Sequence, residues 1–208
     1  MKTDFKKSMK ELYAPKSKEF TLVDVPKMSF LMIDGKGDPG SAPEYTEALQ
    51  TLYPVAYKAK FIAKNTLDKD YVVPSLEGLW WAEDMASYTE NYDRSKWLWT
   101  MMIMQPDWIT SAIVDEARNL AAKKCSGECL EKLRFESFSE GQALQCLHIG
   151  SYADEAPTLA RLHDEIMPDG GYDYNGKHHE IYLSDPRRVA PEKLKTILRQ
   201  PVKMKASK

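Results

Sequence analysis

The feature that most limits the fold is a repeat. In the first half of the chain the apolar run Phe30-Leu31-Met32-Ile33 enters a turn-rich loop, Asp34 to Gly40, after which Ala42-Pro43 opens a stretch of helical apolar spacing that meets Pro54. In the second half the strand-like run from Ala143 to Ile149 enters Gly150, and Ala156-Pro157 opens a stretch carrying Leu159, Leu162, His163 and Ile166 that meets Pro168. The two prolines stand eleven residues apart both times. Proline suits the first turn of a helix, where its missing N–H would have no intrahelical partner, so each Ala-Pro reads as a helix start. Two passages of strand, glycine-bearing loop, helix and further strands point to a duplicated αβ unit with a pseudo-two-fold axis.

The remaining periodicities fill in the halves. Phe20, Leu22 and Val25 alternate with polar residues as a strand does, and Tyr45, Ala48, Leu49, Leu52, Val55, Ala56, Ala59 and Ile62 keep helical spacing to about Lys64, with Pro54 expected to bend the helix. Further strands are expected over about Tyr71 to Ala82 and Lys96 to Gln105, joined by a polar connection. On the latter, Trp97, Trp99, Met101 and Ile103 share one face, and Leu98, Thr100, Met102 and Met104 the other, so both faces are covered. If the Trp97 face lines a ligand site, then Leu98, Thr100, Met102 and Met104 pack under the helices. A helix over Ile109 to Lys124 and strands near Leu133 to Phe138 and Ala143 to Ile149 complete the pattern, while residues 1–19 lack periodicity until a short amphipathic piece near Met9 to Tyr13 and read as a loosely attached arm. The fold expected is α+β, with antiparallel sheet in two pseudo-symmetric halves, about 20–106 and 107–202 of a domain spanning 20–208, a division that could flank a shared ligand cleft.

Composition removes several function classes. With 29% charged residues and a formal net charge of -2, the chain has no broad cationic field for phosphate backbones, so direct nucleic-acid binding is not expected. The polar start, Met1 to Lys6, is unlike a signal peptide and no apolar run approaches membrane-spanning length, which points to a cytoplasmic protein without a membrane partner. Cys125, Cys129 and Cys146 are an odd set without a Cys-x-x-Cys, so they read as reduced thiols with no base assigned to them. Gly35 and Gly37 lack phosphate-loop spacing, and His178, Glu180, His148 and His163 lack a metal-ligand signature, so neither cofactor nor metal is expected.

One strand stands out chemically. His178-His179-Glu180-Ile181-Tyr182-Leu183 places His178, Glu180 and Tyr182 on one face and His179, Ile181 and Leu183 on the other. A carboxylate in mid-strand is costly to bury unless it is paired or faces a cavity, and a solvent-facing edge position would explain Glu180 equally well at this stage. The strand after each repeated helix sets Glu77, in Leu76-Glu77-Gly78-Leu79-Trp80, loosely against Glu180. Four of the five tryptophans, Trp80, Trp81, Trp97 and Trp99, fall within twenty residues. So dense a group is expected to put at least one ring on a ligand, with Met101 beside Trp97 and Trp99, because flat ring systems are held by stacking and by thioether contacts. Tyr57, Tyr152 and Tyr182 are candidate hydroxyl donors.

Several of these stretches together resemble one family. Phe30 to Asp38, Glu77-Gly78-Leu79-Trp80-Trp81, His148-Ile149-Gly150-Ser151-Tyr152 with Ala156-Pro157, and above all His179-Glu180-Ile181-Tyr182-Leu183-Ser184-Asp185-Pro186-Arg187-Arg188 look like the gyrase-inhibitor-like (GyrI-like) small-molecule-binding superfamily, over about residues 20 to 202. The resemblance implies two βαββ-type halves with a ligand cleft and a cleft glutamate on the late strand, which Glu180 matches. It implies small-molecule binding, with stand-alone members that hydrolyse the cyclopropane of duocarmycin-type DNA-alkylating antibiotics, a detoxification. On that reading Glu180 is the general base on water and Tyr57 the phenol that polarises the substrate carbonyl, while Trp80, Trp97, Trp99, Met101, Tyr152, His178, Tyr182 and Glu77 bind a flat, polycyclic, apolar ligand. The alternative implied is a non-enzymatic binding or sensing protein, partnered with a separate regulator or with DNA gyrase.

Overall fold

The computed structural model describes residues 2–84 and 93–206. In chain order the elements are β1 (Lys2–Thr3), α1 (Phe5–Ser8), α2 (Lys10–Tyr13), β2 (Thr21–Val25), β3 (Met28–Lys36), α3 (Pro43–Leu67), β4 (Asp70–Tyr71), β5 (Leu76–Trp81) and β6 (Leu98–Gln105). There follow α4 (Ser111–Ala121), α5 (Gly127–Lys132), β7 (Arg134–Phe138), β8 (Gly141–Ile149), α6 (Ala156–Arg161), a π-helical turn (Leu162–Ile166), α7 (Met167–Asp169), β9 (Tyr172–Tyr174), β10 (His178–Tyr182) and β11 (Lys195–Met204). The polar connection expected before β6 lies partly outside the described residues. Helix makes up 39% and strand 32%, so the mixed α+β class expected is the one observed. Among the described residues no helix is long and apolar enough to cross a membrane.

Two compact units divide the chain: residues 1–8 with 28–138, and residues 9–27 with 139–208. The expected halves met near residue 106; the units part near residue 138 because α4 and α5 pack on α3 and β7 pairs with β3. In the first unit β5, β6, β3 and β7 form an antiparallel sheet in that order. In the second, β2, β8, β11 and β10 do the same, with β9 against the far end of β11. The repeat is therefore a βαββ unit in topology: β3-α3-β5-β6 has its counterpart in β8-α6-β10-β11. Each fourth strand comes from elsewhere in the chain, since β2 immediately precedes β3 yet pairs with β8, and β7 precedes β8 yet pairs with β3.

Helix α3 begins at Pro43, as the repeat implied, and runs through Pro54 to a left-handed Asp68 cap. Its stripe of Ala48, Leu52, Val55, Ala56, Ala59 and Ala63 is fully buried, and the alanines let the helix lie close on the sheet. The face it covers is the one bearing Trp99 and Met101: Tyr45 of α3 meets Trp99 edge-on at 5.5 Å between ring centroids and lies near-parallel to Trp80 at 6.5 Å. The expected assignment, with Met102 under the helices, is reversed. Alternation on a strand separates the two faces but does not say which one a helix will cover.

The N-terminal residues are not a loose arm. In the first unit β1 adds in parallel to β4, and Phe5 stacks on Trp108 at 6.5 Å. In the second unit Leu12 and Tyr13 are buried, and Arg199 of β11 donates to the Leu12 carbonyl at 2.8 Å. The amphipathic piece near Met9 to Tyr13 supplies buried anchors, and tertiary contacts hold the segment in place.

Strand β11 has no signal in local periodicity, because Arg199, Gln200 and Pro201 interrupt its apolar alternation, yet Arg199 and Gln200 are buried. The Arg199 guanidinium donates to Glu140 (2.9 Å), to Gln145 (3.0 Å) and to Leu12, and Glu140 also engages His179 Nδ1 at 2.9 Å. Burial alone would raise the Glu140 carboxyl; His179 and Arg199 beside it outweigh that and hold it down at about 2. This network lies on the face of the sheet opposite Glu180.

Candidate functional site

The second unit gathers polar side chains under its helix. Register places Glu180 opposite Leu198 and Tyr182 opposite Thr196, while Leu198 pairs with Cys146 and Thr196 with His148, so these side chains share one sheet face. It is the face that α6 and the π-turn cover, through Leu162 and Met167 packed on Leu144 and Val202. Glu180 thus faces inward, with Tyr182 and His178 beside it and His179 and Ile181 turned the other way, as alternation requires.

The Tyr182 hydroxyl donates to Glu180 Oε2 at 2.8 Å, and His178 Nε2 stands 3.6 Å from Glu180 Oε1. The Glu180 side chain is 14% exposed, open enough for a ligand or water to reach and closed enough for charge to matter. Tyr152 meets the Tyr182 ring edge-on at 5.8 Å. On the neighbouring turn, His163 Nδ1 and the Tyr174 hydroxyl are 2.9 Å apart, and burial, then His178, bring the His163 imidazole down to about 4, so it is neutral at pH 7.

A residue that sequence reasoning missed completes this group. Glu155 closes the 3-10 turn Tyr152–Glu155, three residues after Tyr152, and is 5% exposed. The turn is built by a reciprocal cap: the Ser151 hydroxyl donates to Asp154 at 2.7 Å and the Ser151 N–H to the same oxygen at 3.2 Å. It starts at Gly150, with φ +154, where a Cβ would come within 2.9 Å of His148 Nε2. Burial first, and the Glu180 charge second, push the Glu155 carboxyl up to about 9, with the Thr196 hydroxyl opposing, so Glu155 is a neutral acid at pH 7. Its Oε1 has no hydrogen-bond partner among the described residues, an arrangement that costs about 1–3 kcal/mol. In sequence Glu155 looks like an ordinary acidic residue in a helix's first turn; its i, i+3 relation to Tyr152 just ahead of Pro157 is the one local cue.

The first unit holds the aromatic group. Trp99 and Met101 are fully buried beneath α3, so their observed role is packing, and Gly35 makes room for the Trp99 ring. Trp80 is 6% exposed. Trp97 is half-buried, edge-on to Trp80 at 6.0 Å, with the Arg94 guanidinium 5.4 Å from its ring centre. Glu77 is fully buried, but it faces away from α3, paired in register with Met102. It is not the counterpart of Glu180, which lies on the helix-covered side of its own sheet; shifting a strand alignment by one residue exchanges faces. Tyr57 is 48% exposed on α3.

Other chemistry is weakly supported. Burial pushes the Cys146 thiol up to about 12 and raises Cys125 and Cys129 as well, which disfavours the nucleophilic thiolate. Among the described residues no group of three His, Cys, Asp or Glu side chains is placed to hold a metal ion.

A βαββ unit whose helix-covered sheet face carries an accessible carboxylate, a tyrosine and histidines is the framework of a small-molecule-binding domain. Residues 18–203 match the GyrI-like small molecule binding domain, and the chain belongs to that family. Among solved structures it is similar to an uncharacterized conserved protein from Listeria innocua, at 43% identity and a TM-score of 0.86 over 97% of this chain and 100% of that one. It is also similar to a hydrolase from Listeria innocua, at 42% identity and a TM-score of 0.85 over 98% and 100% of the respective chains. The C-terminal domain of EcmrR, at 11% identity and a TM-score of 0.55 over 90% of this chain and 98% of that domain, shares the fold alone. The comparison with curated proteins finds no match.

Proposed function

We propose that this protein binds bulky, flat, largely apolar xenobiotics and hydrolyses the strained ring of a spiro-cyclopropane dienone of the duocarmycin type, removing its capacity to alkylate DNA. The observation that carries this reading is the inward-facing Glu180 with the Tyr182 hydroxyl 2.8 Å from it. A hydrolase from Listeria innocua at 42% identity supports the reaction class. Glu180 accepts a proton from water as the water attacks the strained carbon, and Tyr182 orients the carboxylate for that transfer. General-base assistance of this kind is worth about 10² to 10⁴ in rate. Tyr182, rather than Tyr57, is the phenol proposed to act at this site, because it shares the face and a hydrogen bond with Glu180.

The test is incubation with a spiro-cyclopropane dienone followed by mass spectrometry. The expected result is a product heavier by one water, formed by the wild type and by Tyr57→Phe, slowed in Tyr182→Phe, and lost in Glu180→Gln while binding survives. Unchanged compound at every wild-type concentration refutes hydrolysis, and tight binding without turnover then marks a sequestering or sensing protein.

A further inference from the structure

The carboxyl of Glu155 is buried, ends in an oxygen that no described residue engages, and sits on the turn whose Tyr152 packs against Tyr182. A buried polar atom left open in an otherwise ordered turn is a group kept for something that arrives. The groups that act on it come from three strands: the Glu180 charge from β10, the Thr196 hydroxyl from β11 and the Cys146 thiol from β8, while Tyr182 and His178 flank Glu180 itself. The Glu180 charge disfavours ionisation of Glu155, as one carboxylate does for another.

We infer that Glu155 is the second catalytic carboxyl of this site, a neutral acid that donates its proton to a carbonyl oxygen of the ligand while Glu180 accepts one from water. This rests on the hydrolytic reading above and sharpens its substrate class to neutral ligands with a hydrogen-bond-accepting ketone. The step balances without any redox partner. Water oxygen bonds to the cyclopropane methylene; the bond from that carbon to the spiro centre breaks; its electron pair moves into the ring and makes the dienone oxygen a phenolate. That oxygen takes the Glu155 proton, and Glu180 takes the proton lost by water. Proton return from Glu180 to Glu155 restores the pair, and the net change is addition of one water. The arrangement follows the general rule that two nearby carboxyls with environments of different polarity divide into acid and base.

The first test needs no substrate. Infrared spectroscopy of the free protein at pH 7 is expected to show a protonated carboxyl band that disappears in Glu155→Gln; a wild type without the band overturns the assignment. With the dienone as probe, Glu155→Gln is expected to lower turnover by about 10² to 10⁴ and to abolish the fall in rate as pH rises through the acid's titration. An unchanged rate overturns the proposal. If the wild type forms no water adduct, the hydrolytic reading fails separately, and binding of the same dienone, followed by tryptophan fluorescence, decides the donor role. Weaker binding by Glu155→Ala than by Glu155→Gln supports a hydrogen-bond donor to the ligand, and equal binding by both variants and the wild type overturns it.

Discussion

Glu155 also predicts how stability should depend on pH, through a route independent of any ligand. Its carboxyl is raised from 4.5 to about 9 in the folded protein, first by burial and then by Glu180. A group whose folded pKa lies above its unfolded value contributes stability that is fully present below the unfolded pKa and is lost as pH rises through the folded one. Between pH 4.5 and pH 9 the unfolded chain releases this proton and the folded chain keeps it, so folding becomes less favourable by about 1.4 kcal/mol per pH unit. At pH 7 the accumulated cost is about 3 kcal/mol relative to pH 4.5. Glu155→Gln keeps the shape and removes the titration, so the variant minus wild-type difference is expected to grow by that amount over this range. For a chain of this length that is a relative gain of about 6–12 °C in Tm. Urea unfolding of both proteins from pH 4.5 to pH 8 measures the difference, in which titrating groups away from the Glu155–Glu180 pair cancel because both proteins carry them. Parallel stability curves would show that Glu155 ionises alike in the folded and unfolded chain, and the paired-carboxyl reasoning would be refuted.

The network behind Glu180 behaves in the opposite sense. Glu140 is depressed to about 2, so its contribution is present above pH 4.5 and is lost as pH falls towards 2; acid unfolding monitored by circular dichroism should show a limb there that is absent in Glu140→Gln. Glu140→Ala leaves the Arg199 guanidinium buried without its carboxylate and should cost about 3–5 kcal/mol in urea unfolding. In the first unit, a Cβ at Gly35 would stand 2.1 Å from the buried Trp99 ring, so Gly35→Ala should destabilise by about 1–3 kcal/mol and alter the near-ultraviolet tryptophan signal; an unchanged spectrum and Tm would contradict the packing described.

What local sequence could reveal follows the range of the interactions involved. Helix α3 and strands β3, β6, β8 and β10 were legible because their residues repeat at the period of the element they form. The βαββ repeat was legible because Pro43 and Pro157 mark equivalent helix starts. Alternation alone placed Glu180 and Tyr182 on one face and His179 on the other. Strand β11 escaped, since Arg199 is made compatible with burial by Gln145, Glu140 and Leu12, partners 54, 59 and 187 residues away in the chain. The mistaken equivalence of Glu77 and Glu180 came from the same limit, because a one-residue change in alignment moves a side chain through the sheet.

By itself, then, the sequence determined the periodic elements, their duplication and the shared face of Glu180 and Tyr182, properties carried mainly by neighbours a few residues apart. Only the tertiary structure decided which sheet face each helix covers, that the N-terminal residues are held in place, and that Glu155 lies buried beside Glu180. A carboxyl's proton affinity depends on the water it has lost and the charges around it, and those are set by segments that meet only when the chain has folded.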